Sequence, residues 1–100
     1  MDCREYQESV WGSYGGREMS LKEITINNVL GLVGESGEVA DLAKKEFYLG
    51  RDIQRADYVE ELGDVLWHLT CLGMAHSISL EEIMESNLEK LKVRYPNGTP

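Results

Sequence analysis

Apolar positions recur at helical spacing along almost the whole chain, and no segment alternates at period two. Proline occurs only at Pro96 and Pro100, so residues 1–95 contain no proline break. Four helices are predicted. The first covers roughly 2–14, with Asp2 and Glu5 at capping-box spacing and Tyr6, Val10 and Trp11 on one side; "GSYGG" at 12–16 breaks it. The second starts at "SLKE", where Ser20 and Glu23 repeat the cap signal, and runs to about Tyr48 with Leu21, Ile24, Leu32, Val39, Leu42, Ala43 and Phe47 among its apolar residues. A connector, "LGRDIQRA" at 49–56, has Gly50 as terminator. The third helix is expected to begin near Asp57, paired with Glu60 as a cap signal, and to continue through "DVLWHLTCLGMA". "HSIS" turns the chain, and Ser79 with Glu82 opens a fourth helix lasting to about Arg94. Residues 95–100, "YPNGTP", have the composition of a flexible tail. The expected fold is all-α: one domain over 1–100, an antiparallel bundle of about four helices. At this length the core is modest, and pairing with a second copy is a natural way to complete it.

Charge narrows the function. A net charge of −8 with no basic run excludes a phosphate-backbone binder, so no nucleic-acid partner is expected. The most apolar stretch, "VLWHLTCLGMA" at 65–75, is too short to span a bilayer, and "MDCREYQESV" has no apolar segment, so no signal peptide is expected. Cys3 and Cys71 form no metal or redox spacing and read as free thiols. A cytoplasmic protein without membrane contact is expected.

The acids hold the chemistry. Glu35 and Glu38 sit at i and i+3 in "ESGE", and Glu61 and Asp64 repeat that spacing in "ELGD". Residues three apart share a helix face, so each pair presents two like charges that weaken an isolated helix. A cation between them reverses the sign of that effect, and oxygen ligands without His or Cys suit Mg²⁺, with Mn²⁺ as substitute. At 100° per residue Gly31, Gly34, Glu35, Glu38, Leu42 and Lys45 share one side of the second helix, and Asp57, Glu61, Asp64, His68 and Cys71 share one side of the third. Gly31 and Gly34 therefore clear space beside the first acid pair, for a ligand or a closely packed helix. The two helices run antiparallel, so the pairs can face each other; the axial register depends on the connector.

"GLVGESGEVADLAKK" followed by "EELGDVLWHL" resembles the MazG-like nucleoside triphosphate pyrophosphohydrolases, whose motif is E-x-x-E, a gap, then E-x-x-D. Here it reads Glu35, Glu38, a gap of 22 residues, Glu61 and Asp64. "EYQ" at 5–7, "ISLEEI" at 78–83 and "NLEKLKVRYPNG" at 87–98 also look like smaller members of this family. The resemblance implies an all-α homodimer or homotetramer that cleaves a (d)NTP to the monophosphate and pyrophosphate. It implies that Glu35, Glu38, Glu61 and Asp64 bind Mg²⁺.

Glu35 or Glu38 is then the candidate general base. Candidate substrate contacts are Lys45, Lys90 and Arg94 for the phosphates, Asn87 for phosphate or sugar, and His68 for the base. Tyr6 and Gln7 are weaker candidates, and Trp11 and Trp67 read as packing residues. Two other readings stand beside this one. "DVLWHLTCLG" is also similar to a run in phosphoribosyl-ATP pyrophosphohydrolase, which His68 matches, and an acidic helical module could bind nucleotides without hydrolysing them.

Overall fold

The computed structural model covers residues 1–100 and contains four α-helices and no strand. They are α1 (Cys3–Ser13), α2 (Leu21–Phe47), α3 (Arg55–Ala75) and α4 (Leu80–Arg94), with a 3₁₀ turn at Gly15–Glu18. Three helices open on the expected caps. The Asp2 carboxylate accepts from the Glu5 backbone N–H at 2.8 Å, Ser20 Oγ from Glu23 at 3.2 Å, and Ser79 Oγ from Glu82 at 3.1 Å. Each such cap contributes about 1 kcal/mol. That bond holds the Asp2 carboxyl below its ordinary range.

α3 departs from expectation. It starts two residues early, at Arg55, with Gln54 as N-cap. Asp57 lies in the first turn instead, where its carboxylate accepts from the Gln54 backbone N–H at 2.9 Å. The acid thus closes the capping box from the N3 side. α2 ends at Phe47, with Gly50 in the left-handed region and the Arg51 N–H donating to the Lys45 carbonyl at 2.9 Å.

The α2–α3 hairpin is the main packing unit. Three polar contacts tie it along its length. Tyr58 donates to Glu46 at 2.8 Å near the connector, His68 meets Asn28 at 3.0 Å in the middle, and Thr25 meets His76 at 2.9 Å at the far end. α1 packs on α3, and α4 packs on α1. Gln7 joins these last two by accepting the Leu80 backbone N–H at 2.8 Å, one of the amides left free at the start of α4.

Burial is confined to the end of the hairpin away from the connector: Val10, Ile24, Asn28, Thr70, Cys71, Gly73 and Leu80. The rest of the hairpin projects from this core. The radius of gyration of the chain is 16.0 Å, against about 13 Å for a compact chain of this length. Apolar stripes remain uncovered on α2 (Ile26, Val29, Leu30, Val33) and α3 (Val59, Leu62, Leu66). No helix is long and apolar enough to cross a membrane.

Gly31 has a specific role: a Cβ there would overlap the His68 imidazole, whereas Gly34 and Gly37 face open space. Gly31→Ala should therefore destabilise the protein. The overlap costs ~1–3 kcal/mol, more than the ~1 kcal/mol gained in helix propensity. Gly37→Ala should instead stabilise it by about 0.5–1 kcal/mol. Urea unfolding of the two variants checks this contrast.

Candidate metal and nucleotide site

One antiparallel register builds the site. Gly31 and Asn28 of α2 lie against His68 of α3. Four residues on from Gly31 is Glu35, and four residues back from His68 is Asp64. Seven residues on from Asn28 is again Glu35, and seven back from His68 is Glu61. The contact that seats the imidazole thus carries Glu35 to the same level as Glu61 and Asp64, one and two helical turns away. Oxygens of Glu35, Glu61 and Asp64 all lie within 4.8 Å of one another.

The convergence has an electrostatic cost. The Glu61 carboxyl is pushed above its ordinary value of 4.5, first by partial loss of hydration and then by Asp64, Glu35, Glu38 and Glu60. Glu38 is therefore near enough to act on Glu61, but it lies outside the close group of three and is exposed. Neither Glu35, Glu61 nor Asp64 forms an ion pair with a basic side chain at salt-bridge distance. Tyr6 of α1 stands near enough to Asp64 and Cys71 that burial and both charges raise its phenol.

The remaining candidates are scattered. Lys45 forms an ion pair with Asp41 on its own helix at 2.8 Å. Asn87 and Lys90 line a groove along α4 with Ile78, Glu82, Ile83 and Ser86, and Arg94 lines the next one with Glu89 and Val93; no carboxylate of the α2–α3 group lines either. Within one chain, α4 does not bring its cations to the acids. Gln7 is engaged in capping α4. His68 is half-buried and anchored.

Asn28 and Tyr14 escaped the sequence reading. Asn28 is 1% exposed, and its amide donates to the Ile24 carbonyl at 2.9 Å and to the Tyr14 hydroxyl at 3.2 Å. Its position seven residues before Glu35 places it on the acid face, and that spacing was the available signal. Tyr14 packs edge-on against both Trp11 and Trp67, which act as packing residues as expected.

The acid group fits a comparison with known proteins. Residues 25–99 match the MazG nucleotide pyrophosphohydrolase domain. The chain belongs to this family. A second comparison finds 37% identity over 76 residues with the Gene 37 protein of Mycobacterium phage L5, covering 69% of this chain and 64% of that protein. The chain thus spans a little less than two thirds of the phage protein's length. It is also 31% identical over 77 residues to the uncharacterized protein YvdC of Bacillus subtilis (strain 168), covering 67% of this chain and 72% of that one. No solved structure matches. The family acts on nucleoside triphosphates and is typically dependent on divalent metal, and of the two enzyme families the sequence resembles, the match falls on MazG.

A carboxyl whose pKa is raised in the fold binds its proton more tightly there than in the unfolded chain. The repulsion at Glu61 is therefore fully present above the raised value and is relieved as pH falls toward 4.5. Glu61→Gln should melt at or above the wild-type temperature in EDTA at pH 7.5, and the difference should shrink as the pH approaches 4.5. Thermal melts across that range measure it.

Proposed function

We propose that this protein is a Mg²⁺-dependent nucleotide pyrophosphohydrolase that cleaves a (d)NTP to the (d)NMP and pyrophosphate. The observation that carries this reading is the convergence of Glu35, Glu61 and Asp64 within 4.8 Å in a chain of the MazG family. Three carboxylates at that spacing, without compensating cations, fit a hard divalent ion by charge and donor type. Glu35, Glu61 and Asp64 would hold it, with Glu38 beside them. Bound there, Mg²⁺ (or Mn²⁺) would offset the mutual repulsion and supply the positive charge that lets an acidic protein take up a triphosphate.

The chain's own part is proton transfer and placement. Glu38 is exposed and stands outside the close group, so its carboxylate is free to take a proton. Water attacks the α-phosphorus while Glu38, or Glu35 in its place, accepts the water's proton. The bond between the α-phosphorus and the bridging oxygen breaks, and pyrophosphate leaves with that oxygen. Lys45 can release Asp41 to meet the departing charge, since a half-exposed i,i+4 pair is worth only a few tenths of a kcal/mol.

A second copy belongs to this reading. The uncovered stripes on α2 and α3 lie on the helix faces turned away from the acids, and the single chain is more open than a finished bundle. We infer a homodimer closed through these stripes, with the tetramer as the alternative assembly. Sedimentation should give a mass at least twice that of the 11.3 kDa chain. Val33→Glu should shift it toward the monomer, and a wild-type protein that sediments as a monomer at micromolar concentration would sink this part.

Activity is tested by pyrophosphate release from the eight common NTPs and dNTPs with Mg²⁺. Turnover should fall ~10²–10⁴-fold in Glu38→Gln or Glu35→Gln with the fold intact. Mg²⁺ alone should raise the melting temperature, by the equivalent of about 2.7 kcal/mol at a hundred times Kd, and Glu61→Gln should lose most of that rise. Metal stabilisation without turnover of any nucleotide would favour the binding-module reading.

A further inference from the structure

His68 and Asn28, which lie outside the carboxylate group, point to how the site reads its ligand; the inference rests on the nucleotide reading above. The Asn28 side chain is fully engaged. Its Nδ2 donates to the Ile24 carbonyl and the Tyr14 hydroxyl, and its Oδ1 lies 3.0 Å from His68 Nδ1. The amide can be oriented only one way. Turned over, Oδ1 would face the Ile24 carbonyl oxygen, acceptor against acceptor, in a place sealed from water.

With Oδ1 toward the ring, His68 Nδ1 must carry a proton. The neutral imidazole then has no proton on Nε2, which becomes a bare acceptor. Nε2 has no hydrogen-bond partner in the chain, yet no side-chain nitrogen or oxygen is buried without a partner, so Nε2 is not sealed from solvent. The ring cannot easily turn away. Gly31 lies against one side of it, and the edge of Trp67 stands at 5.0 Å between ring centres.

We propose that Asn28 is a positioning residue that fixes His68 as the Nδ1-protonated tautomer. Nε2 is thereby presented as an obligate acceptor for an N–H or O–H donor of the bound nucleotide, a base amine or a ribose hydroxyl. The imidazole lies on the same α2–α3 strip as the carboxylates, one helical turn away, so a nucleotide whose phosphates meet the acids can bring its sugar or base toward it. An aromatic hydrocarbon at position 68 could fill the space against Gly31, but could not accept a hydrogen bond.

Long-range ¹H–¹⁵N correlation of the metal-free, nucleotide-free protein at pH 8 reads the tautomer directly, with His76→Gln separating the two histidines. A pyrrole-type Nδ1 and a pyridine-type Nε2 at His68 are expected, and Asn28→Ala should release the preference. A protonated Nε2 in the wild type overturns the proposal, and that spectrum decides even where Asn28→Ala fails to fold.

Kinetics then identify the donor. His68→Phe should raise KM about tenfold, the effect of one lost hydrogen bond of ~1.4 kcal/mol, with kcat little changed. The loss should vanish for whichever analogue lacks the donor: the 2′-deoxy or 3′-deoxy triphosphate for a sugar hydroxyl, inosine in place of adenosine triphosphate for a base amine. An equal loss for every analogue overturns the acceptor role. A wild-type protein that neither binds nor hydrolyses any nucleotide overturns the function proposed above and the acceptor role with it, while the tautomer reports the Asn28 lock independently.

Discussion

The imidazole of His68 sits where Gly31 has no side chain, and the placing of α3 against α2 follows from that contact. A methyl group there would push the helices apart or turn the ring, and either change would break the bond to Asn28. Because helices are nearly rigid over one or two turns, fixing one level fixes the next. Glu35 then has to arrive opposite Glu61 and Asp64. The acid group is thus a consequence of a packing contact one turn away, made by residues that carry no charge in the site.

That arrangement has a cost in stability. Three carboxylates are gathered with no basic partner, and Glu61 shows the strain in a raised proton affinity. Buried hydrogen bonds in the neighbouring layer hold the geometry against the repulsion. Asn28 is satisfied on every polar atom, and losing its Tyr14 or His68 partner would leave a buried N–H or carbonyl oxygen unpaired. The polar layer provides the rigidity and the acid layer the candidate metal ligands, and they occupy adjacent turns of the same two helices.

The chain concentrates its core at one end. α1, α4 and the outer ends of the hairpin bury Val10, Ile24, Cys71 and Leu80, while Val33 and Leu62, close to the acids in sequence, stay exposed. The α4 cations lie on grooves of their own, apart from the carboxylates. Both features leave the outer apolar faces of the hairpin, and the exposed Glu38 and Asp64, uncovered within one chain.

Much of this was legible in the order of residues, because it is local. Cap spacing placed the starts of α1, α2 and α4, since a Ser or Asp three residues before a Glu satisfies backbone amides without help from elsewhere. The same logic misplaced the start of α3, where Asp57 fits a cap at either end of the motif and only the path of the connector chose. The 3.6-residue period put each acid pair on one face, and the paired spacing led to the family and to the expectation of a metal. Tertiary structure decided what periodicity cannot carry: the register between two helices. The unequal distances of the acids from their helix ends, with Glu38 nine residues before Phe47 and Glu61 six after Arg55, could not be resolved by counting. A glycine that the sequence had singled out, and a buried asparagine that it had not, resolved the register by shape and hydrogen bonding. It also decided that Gly31 makes room for a histidine while Gly34 and Gly37 face open space, and that Asn87, Lys90 and Arg94 stand apart from the acids within one chain.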